Sequence, residues 1–145
     1  MRELVGTWRL EEWAFSLEGE PPRHPFGADA VGLLIYTADG RMSATLMRRD
    51  RPPLGTRTLA AAPEAARAEA AAGYLAYAGR YRVEGAEVVH TVEVSLLPDW
   101  IGQEQRRGLR LEGARLTLTT APEPTSSGRR GQNRLAWIRI EEETQ

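Results

Sequence analysis

Apolar residues in this chain recur at alternate positions over short stretches, and glycine and proline separate these stretches. A period of two is typical of half-buried β-strands, because successive side chains point to opposite faces. Pairs such as Asp39-Gly40, Gly85-Ala86 and Gly113-Ala114 are typical of the tight turns that close hairpins. The pattern predicts about eight strands, over residues 6–17, 31–36, 41–47, 78–83, 87–96, 105–111, 116–120 and 132–140.

One stretch follows a different pattern. Pro63 suits the first turn of a helix, Glu64 favours its positive end, and the alanine-rich residues that follow have high helix propensity. We therefore predict one short helix over residues 63–73. Because its faces are nearly all alanine, it buries little, and it suits a thin flap over a barrel mouth.

Strands joined in sequence by short turns favour an up-and-down meander, which loses its exposed edges when it closes on itself. The predicted fold class is all-β, an up-and-down antiparallel β-barrel of about eight strands. We expect a single domain over residues 1–145. A barrel of eight strands has an interior wide enough for packed side chains or for one small ligand.

Composition excludes several kinds of chemistry. The chain has no cysteine, and every basic residue is arginine, so thiolate nucleophiles, zinc–thiolate sites and Schiff-base lysines are absent. His24 and His90 lie far apart without metal-ligand spacing, and we predict neither a metal nor a cofactor. The net charge of −1 predicts no nucleic-acid or membrane partner. Abundant alanine, glycine and proline suggest a GC-rich bacterial genome, and the missing N-terminal apolar segment suggests a cytoplasmic location.

The first predicted strand resembles the opening strand of lipocalins. Residues 4–10 read Leu-Val-Gly-Thr-Trp-Arg-Leu and contain the Gly-x-Trp motif of that superfamily at Gly6 and Trp8. The resemblance implies that Trp8 lies across the closed end of the barrel. It also implies that an arginine of the last strand, here Arg139, packs over the indole, where a guanidinium plane fits well.

The rest of the chain is similar to bacterial proteins with a lipocalin-like domain. The resemblance implies a barrel with a cavity, but this family has no single shared activity to transfer. The matching segments lie in order along nearly the whole chain, at residues 32–36, 39–44, 76–81, 90–95, 98–102 and 105–107.

Hairpin geometry places polar residues inside the predicted barrel. If Gly113-Ala114 is a two-residue turn, Leu111 and Leu109 face inward, and the alternation carries Arg107 and Gln105 to the same face. A short connection before this strand would place Glu93 opposite Arg107 as an interior ion pair. Such a pair could hold the strand register, or Arg107 or Gln105 could orient a carbonyl or carboxylate of a ligand.

The sequence leaves the orientation of His90 open. A two-residue turn at Gly85-Ala86 would pair His90 with Tyr81, on the face opposite Glu93. A three-residue turn with a bulge would instead bring Tyr81 to the Glu93 face. The two neighbouring hairpins thus disagree about which face is inside, and a bulge must reconcile them.

These observations predict binding of a small, largely apolar or amphipathic molecule inside the barrel. The alternative is an acid–base cyclase or isomerase acting on a bacterial secondary metabolite in the same cavity, with His90 paired to Glu93 or Tyr81, although no catalytic motif is recognisable. A homodimer is an open possibility. The predicted ligand-binding residues are Tyr36, Met42, Tyr77, Tyr81, His90, Glu93, Trp100, Gln105, Arg107 and Trp137.

Overall fold

A computed structural model describes residues 2–141 of the protein. Its regular elements agree closely with the predicted ones. The strands are β1 (Gly6–Leu17), β2 (Val31–Tyr36), β3 (Arg41–Met47), β4 (Tyr74–Glu84), β5 (Glu87–Ser95), β6 (Glu104–Glu112), β7 (Arg115–Thr119), β8 (Glu123–Pro124) and β9 (Arg130–Arg139), and the helix α1 (Glu64–Ala72) precedes β4.

The strands form a closed antiparallel barrel. Each strand from β1 to β6 pairs with the next along the chain, β7 pairs with β9, and β9 returns to pair with β1. The short strand β8 pairs with the start of β9 and adds one strand beyond the eight of the barrel. The predicted all-β barrel is therefore confirmed.

The helix α1 is the one α-helix among residues 2–141, and the predicted helix is confirmed. None of its residues is buried, as expected for a run of alanine with little side chain to pack. In this part of the chain no helix has the length and apolar character needed to cross a membrane.

Two-residue turns close two of the hairpins. The two-residue turn at Gly85-Ala86 joins β4 to β5 and pairs Tyr81 with His90. The corresponding turn at Gly113-Ala114 joins β6 to β7 and pairs Leu111 with Leu116. The register predicted at Gly113-Ala114 is therefore confirmed, and at Gly85-Ala86 the structure has the first of the two alternatives, with His90 on the face opposite Glu93.

The predicted pairing between β5 and β6 is wrong. Arg107 lies opposite Val88, and Glu93 lies on the outer surface, where its carboxylate binds Arg41 at 2.5 Å. Alternation from the buried His90 and Val92 places Glu93 on the outer face of β5. A bulge lies at the same point, because Ala78 and Gly79 of β4 pair with Val94 and Val92, which leaves Glu93 as the extra residue.

Gly79 is required at this bulge. A Cβ atom at this position would lie 1.9 Å from the carbonyl oxygen of Thr91, far inside van der Waals contact. The absence of a side chain at Gly79 therefore lets the backbones of β4 and β5 approach closely where the bulge re-aims the strand.

The closed end of the barrel has the arrangement that the lipocalin resemblance implies. Trp8 is fully buried, and its Nε1 donates to the carbonyl of Leu4 at 2.9 Å. The guanidinium carbon of Arg139 lies 4.2 Å from the Trp8 ring centroid, and its Nη1 donates to Val5 at 2.8 Å. Gly6 has a φ of +138°, and a Cβ there would lie 2.7 Å from that Nη1. The glycine of the motif thus makes room for the arginine.

Candidate ligand-binding cavity

The barrel encloses a cavity of about 430 Å³, a volume within the range of small-molecule sites. Most of the wall comes from inward-facing residues of the strands. Ala71 and Ala72 of α1 add to it, as do Leu96, Leu97 and Trp100 from the segment that joins β5 to β6. The helix therefore lies against the cavity, as predicted for a flap.

Aromatic rings make up much of the cavity wall. Trp13 packs edge-on against Phe26 with ring centroids 4.8 Å apart, and Tyr77 packs edge-on against Trp100 at 5.5 Å. Trp137 lies on β9 and is almost fully buried. Rings in such an arrangement favour a planar, polarisable guest, which gains stacking and edge contacts beyond simple burial.

A buried histidine lies between two tyrosines at this wall. His90 is fully buried, with its Nε2 2.6 Å from the hydroxyl of Tyr36 and its Nδ1 3.0 Å from the hydroxyl of Tyr77. Burial lowers the pKa of His90 to about 3, and the charge of Arg107 acts in the same direction. The imidazole is therefore neutral at physiological pH.

The same burial acts on the two phenols in the opposite sense. Desolvation raises the pKa of Tyr77, against the smaller opposing effect of Arg107, and raises the pKa of Tyr36 well above its usual value. Both hydroxyls thus keep their protons and remain available as hydrogen-bond donors.

The structure does not form the acid–base pairs considered for His90. Glu93 lies outside the barrel, and the hydroxyl of Tyr81 donates to the carbonyl of Thr37 at 2.8 Å. A general base works best with a pKa near the working pH, and a neutral imidazole with a pKa of about 3 accepts protons poorly. The environment of His90 suits a fixed hydrogen-bonding group.

Arg107 lies on the cavity wall without a carboxylate partner. Its Nη2 donates to Gln105 Oε1 at 3.1 Å and its Nη1 to the carbonyl of Arg106 at 2.9 Å. No carboxylate among residues 2–141 lies within 4.0 Å of its guanidinium nitrogens, whereas its neighbour Arg106 binds Glu84 at 2.9 Å. The positive charge at the cavity is therefore not neutralised by an adjacent acid.

Two further lining residues offer hydrogen-bond donors. The indole Nε1 of Trp137 is buried and has no partner in the described part of the chain. The side-chain oxygen of Asn133 accepts from Trp13 Nε1 at 2.8 Å, which leaves the amide NH₂ of Asn133 as a donor. A buried donor without a partner is costly, so an acceptor atom on a guest beside Trp137 Nε1 would be stabilised.

Of the ten predicted ligand-binding residues, five line the cavity and five do not. Tyr36 and Met42 are buried in the core and do not line the cavity, and Gln105 accepts a hydrogen bond from Arg107, which does. Glu93 and Tyr81 lie away from it. The remaining predicted residues line the cavity directly and are Tyr77, His90, Trp100, Arg107 and Trp137.

The prediction missed other lining residues, including Trp13, Phe26, Leu118 and Asn133. A signal for Asn133 was available, since period two from Trp137 through Leu135 leads to it on the same face of β9. The inward position of Trp13 could not be predicted from alternation, because β1 contains a bulge. The register shift between Leu10 and Glu12 moves Trp13, five residues after Trp8, onto the inner face.

Comparison with known proteins agrees with the geometry. A lipocalin-like domain profile matches residues 5–140. The chain therefore belongs to the lipocalin-like domain family, whose barrel and internal cavity fit small-molecule binding.

The chain is similar to the 4'-hydroxy-3'-methoxypropiophenone carrier protein ppsC of Aspergillus oryzae, at 32% identity over 107 residues, which is 68% of this chain and 96% of that protein. A solved structure of an uncharacterized protein from Bacteroides eggerthii matches with a TM-score of 0.47 and 11% identity, over 94% of this chain and 99% of that one.

Proposed function

We propose that this protein binds and carries a small aromatic molecule that bears oxygen acceptors. The observation that supports this most directly is the composition of the cavity wall, where aromatic rings surround hydrogen-bond donors without partners at Trp137 and Asn133 and the unneutralised charge of Arg107. An oxygenated aromatic compound complements both features at once. The related carrier from Aspergillus oryzae, named for an oxygenated aryl ketone, supports the same class of ligand.

The experiment that tests this proposal is calorimetric titration with 4'-hydroxy-3'-methoxypropiophenone, the compound in the name of the relative. We expect saturable binding with one site per chain. Ala44→Phe should abolish it, because Ala44 is buried on the cavity wall and a phenyl group there would fill the space. Thr45→Phe adds the same ring to the opposite face of β3, and it should bind as the parent protein does.

Thermal melts show whether the two variants of β3 are folded. Absence of binding by the parent protein to this compound and to simpler phenyl ketones would contradict the proposal. Equal binding by folded Ala44→Phe would show that the ligand lies outside the barrel.

Arg107 is expected to be an anchor for an oxygen atom of the ligand. Replacing it with leucine keeps an apolar stem but removes the forked donor, so affinity for 4'-hydroxy-3'-methoxypropiophenone should fall about tenfold or more. The melting temperature should change little, since no carboxylate in the described residues loses its partner. Arg106→Leu is the matched control, one residue away and facing Glu84 outside. Equal affinities in Arg107→Leu and the parent protein would exclude this role.

Other parts of the interpretation stay predictions. A bacterial, cytoplasmic setting, one domain over residues 1–145, a homodimer, and the lack of a nucleic-acid or membrane partner are proposals from composition and sequence. Size-exclusion chromatography with light scattering tests the homodimer directly.

A further inference from the structure

Tyr36, His90 and Tyr77 form a hydrogen-bonded row that leads from the core to the cavity. Tyr36 is almost fully buried at the inner end, His90 is fully buried in the middle, and Tyr77 lines the cavity at the outer end. The distances are 2.6 Å from the Tyr36 hydroxyl to Nε2 and 3.0 Å from Nδ1 to the Tyr77 hydroxyl. The positions of the protons in this row decide whether the Tyr77 hydroxyl donates a hydrogen bond to a guest.

The inner end of the row fixes the tautomer of His90. A neutral imidazole has one N–H donor and one acceptor nitrogen. Within residues 2–141, the Tyr36 hydroxyl has His90 Nε2 as its one hydrogen-bond partner. If Nε2 were protonated, the buried hydrogen of Tyr36 would have no acceptor. Tyr36 therefore donates to Nε2, and the imidazole proton lies on Nδ1.

The tautomer in turn orients the Tyr77 hydroxyl. The Nδ1–H donates to the oxygen of Tyr77, so the hydrogen of that hydroxyl must point away from His90. It has no acceptor in the described part of the chain, and Tyr77 lies on the cavity wall. The outer end of the row is thus a donor with a fixed direction.

We propose that Tyr77 determines ligand specificity by donating a hydrogen bond to an acceptor oxygen of the guest, such as a ketone or ether, while Tyr36 and His90 are positioning residues. This inference rests on the proposed function and names a requirement of the same site. A group that can only donate, such as an ammonium, leaves the hydroxyl hydrogen of Tyr77 without an acceptor. A ketone finds there a preorganised donor that needs no rearrangement.

The first experiment measures the tautomer without any ligand. Ring ¹⁵N chemical shifts of ¹⁵N-histidine protein separate protonated from unprotonated nitrogens, and His24→Gln removes the signals of the exposed second histidine. We expect His90 to carry its proton on Nδ1 with Nε2 unprotonated. Tyr36→Phe removes the donor to Nε2, and the tautomer populations should then shift. A proton on Nε2 in the parent protein would overturn the proposal.

The second experiment measures the donor function with two matched probes, propiophenone and propylbenzene, which differ in the ketone oxygen. Tyr77→Phe should weaken propiophenone binding about threefold to tenfold, the range for one lost hydrogen bond, and leave propylbenzene within twofold. Tyr81→Phe is the control, because it removes a hydroxyl of the same strand that donates to Thr37. Its affinities for both probes should equal those of the parent protein.

The outcomes separate this proposal from the one on which it rests. Equal weakening of both probes by Tyr77→Phe would overturn the donor role and leave the carrier function intact. Failure of both probes to bind the parent protein would contradict the carrier function, and the tautomer measured without ligand would still decide the orientation of the row.

Discussion

Replacing Trp8 with alanine is expected to lower the free energy of unfolding by about 3–5 kcal/mol, the usual cost of removing a large aromatic side chain from a core. Trp8 is fully buried, its indole N–H is bonded to Leu4, and Arg139 covers its ring. Truncation would leave a cavity and would also remove the platform on which the guanidinium lies. Urea denaturation followed by far-ultraviolet circular dichroism measures the change.

Trp100→Ala is the matched control for this measurement. Trp100 is half-buried, in the segment between β5 and β6, so its truncation should cost far less stability. A loss below about 1 kcal/mol in Trp8→Ala would show that the closed end of the barrel does not depend on this ring.

Mild acid is expected to destabilise the fold through His90. In the unfolded chain a histidine binds a proton near its ordinary pKa of 6.5, whereas burial in the barrel lowers the pKa of His90 to about 3. The unfolded state therefore binds more protons below pH 6.5, and stability falls as the pH falls from about 6.5 towards 3. At pH 5 the difference amounts to about 2 kcal/mol relative to pH 7.5.

Unfolding in urea at pH 7.5 and pH 5 measures this difference, and His90→Gln should reduce it. The range is chosen to avoid carboxylates. Hydrogen bonds from His24 and Arg134 lower the pKa of Glu12, and a bond from Arg82 lowers that of Glu84, so the stability from these groups is lost only below their ordinary value of 4.5. Equal pH dependence in the parent protein and His90→Gln would exclude His90 as the cause.

The barrel could be predicted because its local signals agree with one another. Alternating apolar residues mark the strands, and the two-residue turn at Gly113-Ala114 sets the register of its hairpin. The motif of Gly6 and Trp8 marked the closed end, where the structure also places Arg139. Each of these signals lies within a few residues, and none requires knowledge of a distant contact.

The pairing of β5 with β6 could not be predicted in this way. These strands are joined by a longer segment that contains a short 3₁₀ helix at Pro98–Trp100, so no tight turn fixes their register. Arg107 pairs with Val88, five residues before the predicted Glu93. An odd displacement places the predicted partner on the opposite face, which is why Glu93 faces solvent while Arg107 still faces the cavity.

The cavity itself depends on features that alternation does not show. The bulges at Glu11 and Glu93 each shift the inside–outside pattern of a strand by one residue, and alternation does not show at which residue either bulge lies. The hydrogen-bonded row from Tyr36 to Tyr77 joins residues on three strands. Its geometry exists only after the sheet has curved and closed.

The pairing of β1 with β9 has a consequence for how the chain folds during synthesis. Trp8 pairs with Arg139, so the first strand lacks one of its two neighbours until the ribosome has made β9, more than a hundred residues later. Until then, one edge of β1 presents unpaired backbone groups, and the open sheet exposes its apolar inner face. Such nonlocal closure folds slowly and leaves the nascent sheet open to association with other chains. We therefore expect chaperone binding to the nascent chain to fall once residues 130–139 have left the ribosome.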